Sequence, residues 1–218
     1  MAEPAEIALI FDLDNTLIHS TIDFLGTRHR LIDLLLDAGA APASRDVLLR
    51  EPIPLLVAMG EAAGERIGRA MWEIVAAAEA EGLRQAVAVE HAAEVLAELR
   101  ARGYRLAVLT NNARPGVAPK LAELGLDRYF EVIATRTEVP ALKPSPEGIH
   151  YILDRLPGVR LCYMIGDAWI DGQAARAAGA RFIGFGPRRE AARERGVTPW
   201  AWIDDLRELL TLPLTRDA

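Results

Sequence analysis

The sequence has one cysteine, Cys162, in 218 residues. No internal disulfide can form, and the disulfide-scaffold class is excluded. Cys162 sits in an apolar stretch that reads as a strand, so it reads as a small core residue rather than a nucleophile. The four histidines, His19, His29, His91 and His150, show no metal-ligand spacing. No apolar run approaches the roughly 18 residues that a membrane helix needs. The opening segment MAEPAEIALIF carries acids where a secretory signal needs Lys or Arg. A surplus of basic charge is missing too: Lys and Arg total 25 against 31 Asp and Glu, a net charge of −6. Nucleic-acid binding by bulk electrostatics needs a basic face and is disfavoured. Internal repeats and low-complexity tracts are also lacking. These absences lead to the expectation of a cytoplasmic protein whose partners include neither nucleic acid nor membrane.

What is present is the balance of a soluble globular chain, with 51% hydrophobic and 26% charged residues. Short continuous apolar runs at Ile7–Phe11, Leu106–Leu109, Val132–Ala134, Leu161–Ile165 and Phe182–Phe185 read as strands buried on both faces. Helical stripes alternate with them. Ala92, Val95, Leu96 and Leu99 form one, stopped by Gly103. Val117, Leu121 and Leu124 form the next, stopped by Gly125. A third opens on Ser145 as N-cap with Pro146 at the first helical position, and runs through Ile149, Ile152, Leu153 and Leu156. This alternation predicts an α/β fold: a Rossmann-like, doubly wound parallel sheet with helices on both faces.

One interval breaks the rhythm. From about Ile18 to about Ala86 the pattern is helical: Thr21 to Ala38, a piece around Val47–Met59, and Glu61 to Ala80 ended by Gly82. Such a length is too great for one crossover helix, so an inserted helical domain is the economical reading. The expected organisation is a catalytic core of residues 1–17 and 87–218 with a helical insertion at 18–86. The tail reads as a closing helix from Asp205 to Leu210 with a polar end.

The strand ends carry the chemistry. Phe11-Asp12-Leu13-Asp14-Asn15-Thr16-Leu17 follows the first strand. Residues i and i+2 of an extended chain point the same way. Asp12 and Asp14 should therefore stand together at the carboxyl edge, where open α/β sheets bind ligands. Two carboxylates about 4 Å apart repel by roughly 4 kcal/mol at an effective dielectric near 20, which calls for a cation or a shared proton. A second acidic strand end, Gly166-Asp167-Ala168-Trp169-Ile170-Asp171-Gly172, would converge on the same edge. Hard oxygen donors without a His or Cys cluster suit Mg²⁺ rather than zinc. Thr110, Asn111 and Asn112 end another strand with a hydroxyl and amides, donors for an anionic oxygen. Lys143 stands just before a helix start, where a point charge meets free N–H groups.

These four segments, FDLDNTL, TNN, LKP and GDAWIDG, resemble the four motifs of the haloacid dehalogenase superfamily in order and spacing. The likeness extends from about Ile7 to about Gly186. The helical insertion after the first motif resembles the cap of the phosphoglycolate phosphatase-like branch. The resemblance implies a phosphatase for a small phosphomonoester. In it Asp12 is the nucleophile that forms an aspartyl-phosphate, and Asp14 is the general acid and base. It further implies Mg²⁺ held by Asp12, the backbone carbonyl of Asp14 and Asp167, with Asp171 as an outer partner to the metal's waters or to Lys143. Thr110, Asn111 and Lys143 would hold the phosphoryl oxygens. Asp14 also separates this chain from the dehalogenases, which lack a carboxylate there. Ala168 and Trp169 depart from the small polar residues that phosphatases often carry at those places, and Trp169 reads as a packing residue.

The expected partner is a small phosphorylated metabolite such as phosphoglycolate, a sugar phosphate or a nucleotide monophosphate, handled by a monomer or homodimer. Two other functions fit the residues less well. A phosphosugar mutase of β-phosphoglucomutase type would use the same groups. A non-catalytic binding protein would retain only the fold.

Overall fold

A computed structural model describes residues 3–214. Its elements follow the chain as β1 (Ile7–Phe11), β2 (Ile18–His19), α1 (Phe24–Asp37), α2 (Arg45–Leu48), α3 (Ile53–Ala63) and α4 (Glu65–Arg84). Then come β3 (Val87–Ala88), α5 (Ala92–Ala101), β4 (Arg105–Leu109), α6 (Arg114–Glu123), β5 (Val132–Ala134), α7 (Glu147–Leu153) and β6 (Leu161–Gly166). The chain closes through α8 (Trp169–Ala177), β7 (Arg181–Phe185), α9 (Arg189–Glu194), β8 (Ala201–Ile203) and a 3-10 turn at Leu206–Leu210. The chain divides into two compact units, Met1–Ser20 with Ala86–Ala218, and Thr21–Gln85.

The first unit is built on a six-stranded sheet in the order β5-β4-β1-β6-β7-β8, with every pairing parallel. This is the expected α/β class. The apolar runs dictate it: β1 is buried along its whole length, and four of the five residues in β4 and β7 are buried. A strand covered on both faces suits a parallel sheet with helical crossovers. Ile10, Ala107, Leu109, Ile149, Met164, Ala174 and Phe182 share one core. Cys162 belongs to it and is buried. Trp169 packs against the same core, and the Arg195 guanidinium lies 4.8 Å from its ring centroid.

The strand order reverses at β1. The chain leaves β1 toward β4 and β5, then returns to the other side for β6, β7 and β8. Crevices form at such reversals, outside the carboxyl ends of the strands. The carboxyl ends of β1, β4 and β6 are therefore the place to look for a site.

The second unit holds α1 to α4 around a core of Leu31, Ile32, Leu35, Leu48, Leu56, Val57, Met71 and Val75. Several boundaries differ from the sequence expectation. The middle helical piece is two helices, α2 and α3, separated by Pro52. The long helix begins at Glu65 because Gly64, with φ 141°, breaks the chain there. Gly82 does not end that helix but lies inside it. A Cβ on Gly82 would stand 2.4 Å from the backbone nitrogen of Ile22, so its small size serves close packing rather than a stop. In the first unit, α7 starts at Glu147 with Pro146 as N-cap, one residue later than the Ser145 cap implies, and ends at Leu153. The Pro146 carbonyl accepts from Ile149 and His150, so the first helical ring closes one residue past Ser145. Short elements that were not expected include the β2–β3 antiparallel pair, the edge strand β8 and the helix α9. The closing segment is a 3-10 turn capped by the Asp205 carboxylate, and its expected polar end lies outside the described residues.

Candidate active site

The first acidic pair is placed by β1 and the turn that follows it. The ladder runs on past the strand, with the Asp12 N–H donating to Ile165 O at 2.8 Å. Asn15 adopts a left-handed backbone, φ 59°, and the Leu13 carbonyl then accepts from Thr16, Leu17 and Ile18. Asn tolerates this conformation better than other residues with a side chain. The tight turn leaves Asp12 and Asp14 both buried.

The remaining parts arrive from β4, β6 and the loop before α7. Thr110 follows β4, and its N–H bonds Ala134 O at 3.0 Å. Asp167 follows β6. Asp171 lies in the first turn of α8, where its Oδ2 accepts from the Ala168 N–H at 3.0 Å. Asp167 therefore precedes the helix rather than sharing a helical face with Asp171. Gly166 makes the close fit possible, since a Cβ there would stand 2.4 Å from Asp171 Oδ2.

Lys143 ties these pieces together. Its Nζ donates to Asp12 Oδ1 at 2.5 Å, to Asp171 Oδ1 at 2.7 Å and to Leu109 O at 3.0 Å. Asn111 fixes the Lys143 backbone from both sides: its Oδ1 accepts from Lys143 N at 2.9 Å, and its Nδ2 donates to Lys143 O at 3.0 Å. The family resemblance implies that Asn111 holds phosphoryl oxygens, and its side-chain amide also positions Lys143. The Thr110 hydroxyl accepts from the Asn112 N–H at 3.1 Å, a bond that leaves its own proton to donate.

Asp12, Asp167 and Asp171 each offer a carboxylate oxygen within 4.8 Å of the others. Both Asp171 oxygens already accept bonds, from Lys143 and from the Ala168 N–H. That occupation suits an outer partner that aligns Lys143. The Asp14 carboxylate stands apart from this trio. Its Oδ2 accepts from Asn112 Nδ2 at 2.6 Å, while its Oδ1 is buried without a hydrogen-bond partner. A buried, unpaired carboxylate oxygen is costly. It marks a site built for something more than the side chains around it. The donors that face the site are hard oxygens, the chemistry that suits Mg²⁺.

Burial dominates the electrostatics. It raises the Asp12 carboxyl well above the usual range. Lys143 opposes the rise, and the other three acids add to it. Burial also raises Asp14. Ser20 and Asn112 temper that rise. Ser20 Oγ has no partner at hydrogen-bond geometry, so the Asn112 bond is the definite restraint. Asp167 is pushed up to about 7 by burial and by Asp171, with Arg188 and Lys143 pulling the other way. Burial alone would lower Lys143, but Asp12 and Asp171 outweigh it and hold the ammonium charged. Burial pushes the Cys162 thiol up to about 12, which keeps it protonated and inert.

Two contacts went unnoticed in the sequence. Asn112 restrains Asp14, but two adjacent asparagines after a strand do not reveal which one turns inward. Arg188 Nη1 donates to Asp167 Oδ2 at 2.7 Å. Its only sequence signal is a basic residue soon after the carboxyl end of β7.

A family model of haloacid dehalogenase-like hydrolases matches residues 8–179. The chain belongs to this family. Among curated relatives, it is similar to the phosphoglycolate phosphatase of Pectobacterium atrosepticum, with 35% identity over 204 residues, 85% of this chain and 82% of the relative. The phosphoglycolate phosphatase of Pseudomonas fluorescens is 30% identical over 221 residues, 93% of this chain and 78% of the relative. A hydrolase of known structure from Pseudomonas syringae shares the fold, with a TM-score of 0.69, 24% identity and coverage of 94% of this chain and 96% of its own. The protein is thus a haloacid dehalogenase-like hydrolase resembling the phosphoglycolate phosphatases, which are phosphoric monoester hydrolases.

Proposed function

We propose that this hydrolase is a Mg²⁺-dependent phosphatase that cleaves a small phosphomonoester through an aspartyl-phosphate on Asp12. One observation carries the reading: a buried Lys143 ammonium bridges Asp12 and Asp171 at the edge where Asp167 also ends its strand. A cationic anchor beside a buried carboxylate, at a strand reversal, suits an anionic ester brought up to a nucleophile.

Asp12 attacks phosphorus with a carboxylate oxygen, and the ester P–O bond breaks. Lys143 favours the charged, nucleophilic form of Asp12. Asp14 gives its proton to the departing alkoxide. Its raised pKa keeps a proton available for that step. Asp14, now a carboxylate, then takes a proton from water as the water oxygen attacks the phosphorus of the acyl phosphate. The Asp12 carboxylate leaves, and inorganic phosphate departs. Thr110 and Asn111 donate hydrogen bonds to the phosphoryl oxygens, and Lys143 turns one N–H from Asp12 toward them, while the Asn111 side chain keeps Lys143 aligned. Asp12, Asp167 and the Asp14 backbone carbonyl would hold Mg²⁺, which would offset charge on the transferring group. Phosphoglycolate is the first substrate to try, because the curated relatives carry that name.

A panel of phosphoglycolate, sugar phosphates and nucleoside monophosphates, scored for released phosphate, tests this function. Release from at least one ester is expected, lost in EDTA and restored by added Mg²⁺. Full activity in chelator contradicts the metal assignment. Isomerisation of a sugar phosphate without net release contradicts hydrolysis.

A further inference from the structure

Four carboxylates, those of Asp12, Asp14, Asp167 and Asp171, gather at the edge of the sheet, and among the described residues two side-chain cations are shown bonded to them. Lys143 is one, and its role at Asp12 and Asp171 is described above. Arg188 is the other. Its Nη1 lies 2.7 Å from Asp167 Oδ2. The two partners differ sharply in exposure: the Asp167 side chain is 6% exposed and that of Arg188 is 53% exposed. One end of the pair is fixed in the site and the other stands at the rim.

The chain takes care to aim this arginine. Gly186 follows β7 with a left-handed backbone, φ 74°, and opens the 3-10 turn Gly186–Arg188. The Gly186 carbonyl accepts from the Trp202 indole N–H at 2.7 Å, which anchors the turn to the edge strand β8. Arg188 is then the N-cap of α9. Its position is set by a glycine turn, an indole bond and a helix start, not by an unsupported surface loop.

We propose that Arg188 is a positioning residue that acts as an internal counter-cation for Asp167 and competes with Mg²⁺ for that carboxylate. The inference rests on the reading that Asp167 is a metal ligand. A guanidinium within hydrogen-bond reach of a ligand oxygen repels a dication approaching the same group. It also satisfies the buried carboxylate when no other cation does, since a buried charge needs a partner. Because the arginine is half-exposed, water can solvate it when the pair opens. The device holds the acid in place while it weakens metal affinity.

Isothermal titration calorimetry with MgCl₂ on the full chain separates the possibilities, at about pH 8.5, where ordinary carboxylates are ionised. The expected order of affinity places Arg188→Gln and Arg188→Ala tighter than the unaltered protein by about three- to tenfold, the scale of a part-exposed ion pair. Arg188→Lys keeps the charge and is expected to retain most of the weaker, original affinity. Thermal melts in EDTA provide the second readout: Arg188→Gln melts lower than the unaltered protein, and Mg²⁺ closes the gap. Equal or weaker Mg²⁺ affinity in Arg188→Gln overturns the counter-cation role while leaving the phosphatase reading intact. Absence of Mg²⁺ binding by the unaltered protein overturns both.

Discussion

Asn112 shows how much of the proposed chemistry depends on one hydrogen bond. Its amide at 2.6 Å favours the charged form of Asp14 and opposes the burial that raises it. In Asn112→Ala that restraint is gone. The Asp14 pKa should rise further, and the basic limb of the kcat/KM profile, where the general acid loses its proton, should move to higher pH. The rate at the optimum should fall by about 10- to 100-fold, as is usual when a partner of a catalytic group is removed. A pH–rate profile of the variant checks both effects. An unmoved basic limb would mean that Asp14 does not supply the proton.

At the same scale, the sequence was informative about residue type and silent about direction. The carboxylates at 12, 14 and 167 follow strands, where the pattern of buried runs already places them together, while Asp171 opens α8 and Lys143 stands before α7. Which oxygen meets which nitrogen depends on packing between segments far apart in the chain. Asn111 and Asn112 are chemically alike, yet one clamps Lys143 and the other Asp14.

Among the elements, the junction of β6 and α8 is the most exacting. Gly166 ends the strand, Asp167 follows, and Asp171 returns from the helix to within 2.4 Å of where a Gly166 side chain would be. Gly166→Ala must displace the Asp171 carboxylate, and with it one of the two acids that hold Lys143. The expected result is a loss of stability of about 1–3 kcal/mol, as for other overpacked sites, together with a large fall in turnover. Denaturant unfolding and phosphate release measure the two parts. A fully stable and active Gly166→Ala would show that this approach has room to relax.

Elements are most legible where burial is continuous, although the brief β5 is legible too. The strands β1, β4, β6 and β7 announce themselves as apolar runs because both faces are covered. Strand β8 is three residues, of which only Ile203 is buried, and it lies in the short apolar run Trp200–Ile203 directly after Pro199. Glycine punctuation misled at Gly82 for a related reason. A glycine that admits a neighbouring chain inside a helix looks, in sequence, like a glycine that ends one.

At the scale of the whole molecule, the acidic cluster couples folding to pH. Asp167 moves from an ordinary carboxylate value near 3.8 up to about 7 in the metal-free fold, chiefly through burial. A group with a raised folded-state pKa contributes stability below its unfolded pKa and loses it as pH rises through the folded value. Metal-free protein should therefore lose the Asp167 contribution between about pH 4 and pH 7. Asp167→Asn removes that titration. In EDTA its melting temperature should gain on the unaltered protein as pH rises across this window. Paired carboxylates elsewhere, such as Glu131 with Arg105, act in the opposite sense, so the difference between the two proteins is the quantity to follow. Parallel melting curves for the two proteins from pH 4 to pH 8 would refute the coupling.

The central claim is that Asp12 becomes phosphorylated. The direct measurement is mass spectrometry of Asp14→Asn protein mixed with Mg²⁺ and an aryl phosphate that the unaltered enzyme hydrolyses, whose leaving group departs without a proton from Asp14, quenched in acid and digested. Loss of the Asp14 base should stall the second step and leave one added phosphoryl group on the peptide containing Asp12, with none on Asp12→Asn protein treated alike. A phosphoryl group found on another residue, or wild-type turnover by Asp12→Asn, would contradict the account.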